Sequence, residues 1–471
     1  MNIQKTRFCP SPTGALHLGN LRAALFSFLF SKKNNGMFLL RIEDTDLLRS
    51  EDEFVEKIYE DLEWLLLVWD EGPKVEGKHT PYFQSKRFEI YEGFYNLLLE
   101  KDLIYPCFTS EEELKVIKRS QLQAGEPPRY PGTWSQASKE EVQAELDRGN
   151  VPVYRFRMPT EGIIEFKDQI KGNQQFNACD LDDFIVKKTD GTPSFMFANA
   201  IDDALMEVSF VLRGEDHLSN TPRQLALIEA LELSKPNFAH LPLFLGHDGA
   251  PLSKRNGSVS ISELKEMGYL PLAIINYLIR VGHFIPDNNL KSLDELSELL
   301  DIDSISHSPS RFDLDQLKFW QKQAVEVMDI VEMKQWLFES LAEVLPEDVE
   351  MKKFVELIKS NVVFPNDAAE FAKAFFSKEN DYSDDGMNYL KNAPEEFFNV
   401  AEQCISSSWG QWANSVKELG VKTNTKGKNL YMPIRLALTS LTSGPELDQI
   451  AELLGKDEVL KRLKAAQHII S

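Results

Sequence analysis

The fold is first decided by residues 7–20, which read Arg-Phe-Cys-Pro-Ser-Pro-Thr-Gly-Ala-Leu-His-Leu-Gly-Asn. The residues that end at Cys9 suit a short buried strand, and the prolines and glycine behind it interrupt regular structure. Apolar residues then recur at helical spacing from Leu21 to Leu29, and Gly36 follows where a helix C-cap belongs. The stretch therefore predicts a strand, a glycine-bearing turn and a helix.

Three residues of the turn, His17, Gly19 and Asn20, lie at the start of the predicted helix. Free backbone N–H groups and the positive end of the helix dipole make such a terminus an anion site. Gly19 would let a nucleotide approach the backbone, and His17 and Asn20 could donate hydrogen bonds to phosphate. The alternative is a turn in which the two side chains only cap the helix, and the turn taken alone favours that alternative.

Composition limits the classes of protein that the chain can represent. Its 471 residues suffice for two to four domains, and 42% hydrophobic with 27% charged residues is typical of a soluble globular protein. The net charge of −22 argues against a general polyanion binder, so any nucleic-acid site must be a local basic patch. The four cysteines are scattered, which predicts neither a disulfide framework nor zinc-ligand pairs and favours the cytoplasm. No run of residues is apolar enough to predict a membrane span.

Strands alternate with helices over the first hundred residues, which predicts an α/β layer with a parallel sheet. Residues 37–43 read as a second buried strand that ends in the acidic cluster Glu43–Asp46, and Ser50 with Glu53 forms a capping-box pattern before the next helix. A third helix is predicted from the apolar residues that share one of its faces, namely Phe88, Tyr91, Tyr95, Leu98 and Leu99. Ligands of such sheets bind outside the carboxyl ends of the strands, where both the first turn and this cluster fall. Glu43 is thus a candidate for binding an ammonium group, the alternative being a solvated loop.

The pattern changes near Tyr105 to short helices and strand-like pieces, which predicts an inserted α+β module with Arg155 and Arg157 on one strand face. Capping boxes that begin at Ser110 and Ser138 predict the starts of two of its helices.

The α/β pattern returns near Phe195, with strands over 208–212 and 241–245. Between these strands, Thr221 is predicted as the N-cap of a helix that has Pro222 at its first position. Residues 250–258 then form a loop that suits a phosphate clamp or, equally, a solvated basic loop.

The remainder of the chain, from Gly268 onward, has a helical pattern almost throughout, and a capping box that begins at Ser292 predicts the start of one helix. Near its end, basic residues lie close to Tyr431 in the sequence, namely Lys422, Lys426, Lys428 and Arg435. Such a mixture suits a single-stranded RNA surface as well as it suits a solvated loop between helices.

Taken together, these motifs resemble those of bacterial glutamyl-tRNA synthetases, which are class I aminoacyl-tRNA synthetases. The resemblance spans nearly the whole chain and rests on several motifs in the expected order, namely residues 6–14, His17-Leu18-Gly19-Asn20, Arg41-Ile42-Glu43-Asp44-Thr45-Asp46, Ile201-Asp202-Asp203, Arg213-Gly214-Glu215-Asp216-His217 and Leu252-Ser253-Lys254-Arg255. It implies a Rossmann-like α/β catalytic domain with a parallel sheet and an inserted α+β module, followed by an all-α anticodon-binding region. The implied bounds are 1–104 and 191–245 for the two catalytic halves, 105–190 for the acceptor-stem-binding insertion, 246–314 for the stem-contact segment and 315–471 for the anticodon-binding domain.

The resemblance also implies a two-step reaction. Glutamate attacks the α-phosphate of ATP, which comes with Mg²⁺, and a terminal ribose hydroxyl of tRNA(Glu) then takes the glutamyl group. The implied ATP-binding residues are His17, Gly19, Asn20, Asp216, Ser253, Lys254 and Arg255, among which His17, Asn20 and Lys254 are catalytic. The implied glutamate-binding residues are Arg7, Ser11, Glu43, Phe195, Asn199 and Arg213, and the expected tRNA-binding residues are Arg155, Arg157, Lys422, Lys426, Lys428 and Arg435. Two guanidinium groups that face a carboxylate favour glutamate over neutral glutamine.

The chain departs from the family pattern at three positions. Asn20 replaces the second histidine of the class signature, Pro251 replaces the first lysine of the clamp loop, and Phe195 replaces a tyrosine near the amino-acid side chain. The insertion also lacks the cysteine cluster that binds zinc in some relatives, so no zinc and no other protein-held metal is expected. A monomer is expected, and two alternatives stay open for the tRNA, an enzyme specific for tRNA(Glu) and one that also charges tRNA(Gln).

Four rival functions fit the sequence less well. A cofactor-making nucleotidylyltransferase and a truncated synthetase paralogue that modifies a tRNA base are both shorter, and they lack the helical last third. A glutaminyl-tRNA synthetase is expected to carry a neutral residue in place of Arg213 and β-barrel anticodon domains. A catalytically inactive RNA-binding protein would not need to retain His17, Glu43, Arg213 and Lys254 together.

Overall fold

Strands flanked by helices make up the first part of the chain, in a computed structural model that describes residues 3–46, 49–75, 77–252, 259–347, 349–377 and 382–470. Two units make most of their contacts internally, Met1–Leu264 with Ile274–Leu314, and Lys265–Ala273 with Asp315–Ser471. In chain order, the elements up to residue 311 are β1 (Lys5–Phe8), α1 (Leu18–Lys33), β2 (Met37–Leu40), α2 (Asp52–Trp64), α3 (Phe88–Glu100), β3 (Ile104–Cys107), α4 (Glu111–Gln123), α5 (Lys139–Asp147), β4 (Val153–Phe156), β5 (Ile163–Asp168), β6 (Gly172–Asn177), β7 (Phe184–Lys187), α6 (Phe195–Leu205), β8 (Phe210–Gly214), α7 (Thr221–Ala230), β9 (Asn237–Leu241), β10 (Phe244–Leu245), α8 (Ile261–Glu266), α9 (Pro271–Arg280), α10 (Leu293–Leu299) and β11 (Ser310–Arg311).

The predicted parallel sheet is confirmed. β1 pairs in parallel with β2, and β8 pairs in parallel with β9 in a register that runs from Phe210–Asn237 to Gly214–Leu241. β1 lies beside β8, and the Ser209 N–H donates to the carbonyl oxygen of Lys5 at 3.0 Å. Helix α1 packs against β1, β2 and β8 through an apolar face that includes Leu21 and Leu25, both 1% exposed. Burial of that face orients the N-terminus of α1 relative to the strand ends.

The predicted insertion contributes to two sheets. Strands β3, β4 and β7 form an antiparallel sheet of their own. Strands β5 and β6 form an antiparallel hairpin, and β5 also pairs in parallel with β9 through Asp168 and Phe238. A segment that the sequence assigned to a separate module therefore extends the sheet that carries β8 and β9.

Capping patterns predicted helix starts with mixed success. The boxes that begin at Ser110, Ser138 and Ser292 are all present, each with the serine hydroxyl accepting from the third helical N–H. The box predicted at Ser50 is wrong, because α2 begins one residue later, after Glu51, which makes no side-chain cap. The C-cap predicted at Gly36 is also wrong, since the left-handed residue behind α1 is Asn35, with a φ of 48°.

Gly36 has a packing role in place of the predicted one. A Cβ at this position would lie 2.0 Å from the carbonyl oxygen of Gln4, so only glycine lets the chain approach the start of β1 here. Two further details of the sequence prediction are wrong. Leu99 is 43% exposed rather than on the buried face of α3, and the strand predicted over 241–245 is divided by Pro242, which cannot donate to a ladder.

The second unit is helical, as predicted. Its core is built from helix faces whose aromatic and aliphatic side chains are buried, Phe354, Phe375 and Phe397 among them at 0% exposure. In chain order, the helices that follow residue 313 are α11 (Leu314–Val327), α12 (Ile330–Leu341), α13 (Met351–Ile358), α14 (Pro365–Phe376), α15 (Asp384–Lys391), α16 (Phe397–Ser407), α17 (Trp412–Thr423), α18 (Lys428–Thr439), α19 (Leu447–Leu454) and α20 (Lys456–Ile470). In the part of the chain that the structure describes, no helix combines the length and the apolar character needed to cross a membrane.

Candidate active site

A cavity of about 390 Å³ lies at the carboxyl ends of β1, β8 and β9, beside the N-terminus of α1. It brings together most of the residues that the sequence predicted for ATP and glutamate, namely Arg7, His17, Gly19, Asn20, Glu43, Phe195, Asn199, Arg213 and Asp216. Ser11 is exposed and does not line this cavity. Ser253, Lys254 and Arg255 lie outside the described residues.

His17 is the N-cap of α1. Its Nδ1 accepts hydrogen bonds from the N–H groups of Gly19 at 3.2 Å and Asn20 at 3.4 Å. The capping alternative considered for this turn is therefore present in the structure, and it is compatible with ligand binding. Because Nδ1 is an acceptor, the proton of the neutral ring lies on Nε2, which is left as a donor. Burial lowers the pKa of His17, so the ring is neutral at pH 7.

Gly19 leaves room for the imidazole of His17. A Cβ on this glycine would lie 3.1 Å from both Cε1 and Nδ1 of the ring, which is a tight contact against a side chain that is already hydrogen-bonded. The sequence had assigned Gly19 to a close approach of nucleotide and backbone. The structure adds a reason within the protein itself.

Arg213 extends from β8 and is held on two of its three nitrogens. Its Nε donates to Nε2 of His240 at 3.1 Å, and its Nη2 donates to Thr221 Oγ1 and Gln224 Oε1, both at 2.8 Å. Its Nη1 is buried and has no hydrogen-bond partner among the described residues, and it also forms no ion pair there. Burial and the nearby Arg7 lower the pKa of Arg213 to about 9, against the opposing charges of Asp203 and Glu43.

Arg7 differs from Arg213 because it is paired with a carboxylate. Its Nε lies 3.2 Å from both oxygens of Asp203, and its Nη1 donates to the carbonyl of Leu212 at 3.3 Å. Its Nη2 makes no hydrogen bond among the residues described here. Burial opposes ionisation of Arg7, but Asp203 outweighs it and raises the pKa.

Glu43 is held beside these arginines by Arg41, which is fully buried. Arg41 donates through Nη2 to Glu43 Oε1 at 3.0 Å, and its Nη1 forms an ion pair with Asp203 at 2.8 Å. Asn199 donates to the same Oε1 at 2.8 Å, whereas Oε2 makes no hydrogen bond in the described part of the chain. Burial raises the pKa of Glu43, while Arg41 and Asn199 oppose the shift.

One wall of the cavity is aromatic. The rings of Phe195 and His217 lie with their centroids 5.2 Å apart, and Nε2 of His217 lies 3.5 Å from Asp216. Burial lowers the pKa of His217 to about 4, so this ring is neutral at pH 7 although Asp216 opposes the shift.

The segment that carries the predicted phosphate clamp is bounded by residues at the cavity. Before it, the Leu252 N–H donates to the carbonyl of Phe244 at 2.8 Å, and Leu252 lines the cavity. After it, Ser260 forms a bridge with His17, and the Ile261 N–H donates to the carbonyl of Leu16 at 3.0 Å. The residues on either side of 253–258 are thus fixed near the turn that caps α1.

Arg155, one of the two arginines predicted to bind tRNA from the insertion, is not at the surface. It is 5% exposed, stacks 3.9 Å from the ring centroid of Tyr130, and donates to Cys107 Sγ and to the carbonyl of Asp183. This is a correction to the expected basic strand face, because β4 packs this side chain into the interior of the module.

Arg157, the other arginine, is only partly exposed. Its Nε donates to the carbonyl of Asp102 at 3.1 Å, and its Nη1 donates to that of Ser135 at 2.5 Å. Its guanidinium also lies 4.6 Å from the ring centroid of Tyr105. The two arginines therefore do not form the shared basic face that the sequence predicted.

The basic residues predicted for RNA in the second unit are mostly exposed. Lys422 pairs with Glu418 at 2.7 Å, Lys426 is exposed, and Lys428 lies 5.0 Å from the ring centroid of Tyr389. Arg435 is half-buried, and its Nη2 donates to the carbonyl of Pro445 at 2.9 Å.

Sequence reasoning missed the residues that hold Arg213 in place. Gln224 links Arg213 to Asn199, whose Oδ1 accepts from Gln224 Nε2 at 3.0 Å. Thr221 was predicted as a helix N-cap, but it is the first residue of α7 and its hydroxyl binds Arg213. His240 lies inside a buried strand and carries no local motif, so only the sheet register could have revealed it.

Comparison with known proteins supports the family resemblance that the sequence motifs indicated, over both the catalytic and the helical part of the chain. Residues 4–319 match the family described as tRNA synthetases class I (E and Q), catalytic domain, and residues 317–467 match an anticodon binding domain. Because the second match covers the helical last third, the two matches exclude the nucleotidylyltransferase and the truncated synthetase paralogue, which lack that region.

Relatives of known name match over the full length. A protein named glutamate–tRNA ligase 2 from Nitrosococcus oceani is 45% identical over 98% of this chain and 97% of its own. One of the same name from Coxiella burnetii is 45% identical over 98% and 100% of the two chains. The crystal structure of a glutamate tRNA ligase from Elizabethkingia meningosepticum, in complex with its amino acid, has a TM-score of 0.88 at 32% identity and covers 99% of this chain and 100% of its own. The chain therefore belongs to the glutamate–tRNA ligase family of class I aminoacyl-tRNA synthetases.

Proposed function

We propose that this chain activates L-glutamate with ATP and transfers the glutamyl group to the 3′ end of tRNA(Glu). The observation that carries the proposal is the buried Nη1 of Arg213, which has no hydrogen-bond partner among the described residues of a cavity that Arg7 also lines. A buried guanidinium nitrogen without an acceptor is costly, and a substrate carboxylate would supply that acceptor. Glutamine offers a neutral amide in its place and binds less well.

In this proposal the α-amino group of glutamate binds at Glu43. Its Oε1 is taken by Arg41 and Asn199, whereas Oε2 is left without a hydrogen bond in the described structure, so an ammonium group has an acceptor there. Arrival of that positive charge also favours the ionised form of Glu43, whose pKa burial raises. Phe195 lines the same cavity and belongs to the proposed glutamate site, and Ser11, which is exposed and does not line the cavity, is included on the sequence motif alone.

ATP is proposed to bind at the N-terminus of α1. His17 caps the helix through Nδ1, so its Nε2–H is available to a phosphate oxygen, next to Gly19 and Asn20. Asp216, Ser253, Lys254 and Arg255 make up the rest of the proposed ATP site. The described residues hold no group of three or more histidine, cysteine or acidic side chains suited to a metal, and in this proposal the Mg²⁺ of the substrate is held mainly by phosphate oxygens.

The reaction proceeds in two displacements. An oxygen of the glutamate α-carboxylate attacks the α-phosphorus of ATP, a P–O bond to pyrophosphate breaks, and glutamyl-adenylate forms. A terminal ribose hydroxyl of tRNA then attacks the acyl carbon, loses its proton, and AMP leaves. His17 and Lys254 act on the charge that develops on the phosphates during the first step, by electrostatic preorganisation.

For tRNA, we propose that exposed Lys426 and Lys428, together with Lys422 and Arg435, contact the RNA, with Arg157 as the contact in the insertion. Arg155 is left out of the contact set because it is buried. Lys428 lies against an aromatic ring, which is a combination that suits stacked, unpaired bases. A monomer in the cytoplasm is proposed, and the four free cysteines are in keeping with a reducing compartment.

The proposal is tested by ATP–pyrophosphate exchange with purified protein, with glutamate or glutamine and with or without tRNA(Glu). Exchange that depends on glutamate and requires tRNA is expected. The proposal is contradicted if exchange occurs with glutamine but not with glutamate, or if neither amino acid supports exchange when tRNA is present. Charging assays on both tRNA(Glu) and tRNA(Gln) then decide between an enzyme specific for tRNA(Glu) and one that also charges tRNA(Gln). Elemental analysis tests the expectation of a zinc-free protein, which stoichiometric zinc would overturn.

A further inference from the structure

Arg213 is oriented by three hydrogen bonds, and one of their acceptors is a group that can change its protonation state. A guanidinium has five N–H groups, of which three are taken here by Thr221, Gln224 and His240. Threonine and glutamine oxygens accept at any pH. Nε2 of His240, which receives the Arg213 Nε–H at 3.1 Å, accepts only while it carries no proton.

The protonation of His240 is set by Asp168. Nδ1 of His240 lies 2.6 Å from Oδ2 of Asp168, and both side chains are fully buried. An ionised carboxylate can only accept, so the proton of the neutral imidazole must lie on Nδ1. Nε2 is then left as an acceptor for the Arg213 Nε–H, which is the arrangement that this donor requires, and the hydroxyl of Thr221 lies 3.1 Å from the same nitrogen.

We propose that Asp168 and His240 are a positioning pair that holds Arg213 in the orientation that binds the side-chain carboxylate of glutamate. This role rests on the function proposed above and extends it to two residues outside the substrate cavity. Asp168 comes from β5, in the predicted insertion, so the insertion contributes to amino-acid specificity through the register that pairs β5 with β9.

A second proton on His240 would disrupt the arrangement. Its Nε2–H would then face the Arg213 Nε–H, so two donors and two like charges would meet. The titratable and charged groups around the ring are Asp168 on β5, Arg213 on β8, Arg7 on β1 and His217 before α7. Burial lowers the pKa of His240, Asp168 opposes the shift, and the two arginines add to it, so the ring is neutral at pH 7.

The substitution Asp168→Asn separates this role from simple packing. Oδ1 of Asp168 accepts from the backbone N–H groups of Ile170 at 3.0 Å, Lys171 at 2.7 Å and His240 at 3.3 Å. The single oxygen of asparagine would be kept by these donors, so its NH₂ would face Nδ1 of His240. The imidazole would then accept at Nδ1 and carry its proton on Nε2, where it points a donor at Arg213.

The expected result for Asp168→Asn is a KM for glutamate about 10- to 100-fold higher in tRNA-dependent exchange, because a carboxylate site that is displaced by a fraction of an ångström binds poorly. The KM for ATP changes much less, and the ratio of kcat/KM for glutamate to that for glutamine falls. Asp70→Asn is the matched control, since that carboxylate accepts the Phe38 N–H at 2.7 Å and does not line the cavity.

The substitution His240→Gln provides a second, pH-based test. Glutamine offers an amide oxygen to the Arg213 Nε–H and does not titrate between pH 5 and 9. In the wild type, the KM for glutamate rises as the pH falls through the pKa of His240. In His240→Gln the rise is smaller, because Glu43, whose pKa burial raises, and the substrate carboxylate still titrate but His240 does not. The KM near pH 8 stays within about tenfold of the wild type.

The outcomes separate the two proposals. A wild-type protein without glutamate-dependent exchange overturns the proposed function. If the wild type has that activity and folded Asp168→Asn has the same KM for glutamate and the same selectivity, the positioning pair is overturned. Should Asp168→Asn fail to fold, His240→Gln decides, and an acid-side rise in KM equal to that of the wild type overturns the pair.

Discussion

Asn199 donates a hydrogen bond of 2.8 Å to Glu43, across 156 positions of the sequence. Its side-chain oxygen accepts from Gln224, which in turn accepts from Arg213, so one chain of hydrogen bonds joins the acidic and the basic end of the cavity. In the proposed function these ends receive the amino group and the side-chain carboxylate of one substrate. The distance between them is therefore fixed by side chains that do not themselves change charge.

We expect Gly19→Ala to lower the rate of glutamate activation by about tenfold or more. The added methyl group would lie 3.1 Å from the imidazole of His17 and push the ring away from the position in which it caps α1. Gly14→Ala is the control, because a Cβ there meets nothing within 4 Å. Exchange rates for both variants, with circular dichroism to check folding, test the prediction, and equal losses in the two variants would contradict it.

Arg213→Lys should raise the KM for glutamate by ~10²-fold and reduce the preference for glutamate over glutamine. Lysine keeps the charge, but it cannot occupy the acceptors on His240, Thr221 and Gln224 and still present a donor to the substrate. Arg223→Lys, on the same helix as Gln224 but paired with Asp182 outside the cavity, is the control. Wild-type selectivity in the Arg213→Lys variant would refute the assignment.

Lys254→Ala should lower the activation rate by ~10²-fold or more, with a smaller change in the affinity for ATP. Pro251 replaces the other lysine of the predicted clamp, so Lys254 is expected to bear more of the charge that develops on the leaving pyrophosphate. Lys235→Ala, at an exposed position, controls for the loss of one positive charge. If rate and ATP affinity fall equally, the assignment of Lys254 to the transition state is wrong.

Replacing Lys422, Lys426 and Lys428 by alanine should weaken tRNA binding and flatten its salt dependence. Each phosphate that loses its cation reduces the slope of log K against log salt by roughly 0.7 to 0.9. Lys352, Lys353 and Lys461 are exposed lysines of the same unit, and their replacement makes the same change in net charge. Binding titrations over a series of salt concentrations compare the two triple variants, and identical slopes would exclude the proposed patch.

Asp203 should support folding in a pH-dependent way. Burial opposes its ionisation, but Arg7 and Arg41 outweigh burial and lower the pKa below the ordinary 3.8. The contribution of Asp203 to stability is therefore complete above about pH 4 and is lost as the pH falls through the lowered value. Urea unfolding at pH 7 should show a loss of about 3–5 kcal/mol in Asp203→Asn.

The comparison variant for Asp203 is Asp294→Asn. Asp294 pairs with Lys32 at 2.8 Å, but its side chain is 79% exposed, so its loss should change the free energy of unfolding by less than about 1 kcal/mol. The acid-dependent part of stability should also persist in Asp294→Asn and shrink in Asp203→Asn. Equal behaviour of the two variants would show that burial of the ion pairs around Asp203 has no special effect.

The sequence predicted those features that depend on local patterns. The strand, turn and helix around His17 follow from residue spacing, and the serine and glutamate pairs of three capping boxes mark their helices. Glu43 was found because a strand end in an α/β sheet is where a ligand binds, whereas Arg7 and Arg213 were assigned from the resemblance to the family. These inferences need no knowledge of which strands are neighbours.

The features that the sequence did not predict depend on long-range register. His240 and Asp168 are brought together by the pairing of β5 with β9, and no local pattern reveals that two strands of different predicted modules are adjacent. Arg155 was expected on a basic strand face shared with Arg157, but it is buried, and acceptors on Cys107 and Asp183 accommodate its guanidinium. Burial of a charged residue depends on partners that are distant in the sequence.

The buried Nη1 of Arg213 has no acceptor among the described residues, which lowers the stability of the fold and at the same time provides a donor for a substrate carboxylate. A buried donor without an acceptor destabilises a fold by about 1–3 kcal/mol. An apolar residue of similar size, such as methionine, would remove this donor, but it would also leave the buried acceptors on His240, Thr221 and Gln224 without their partner. Relief of the penalty is therefore expected from a bound carboxylate and not from substitution of the arginine. Bound glutamate would therefore stabilise the folded protein and raise its melting temperature, and the rise would be largest when Arg213 is intact.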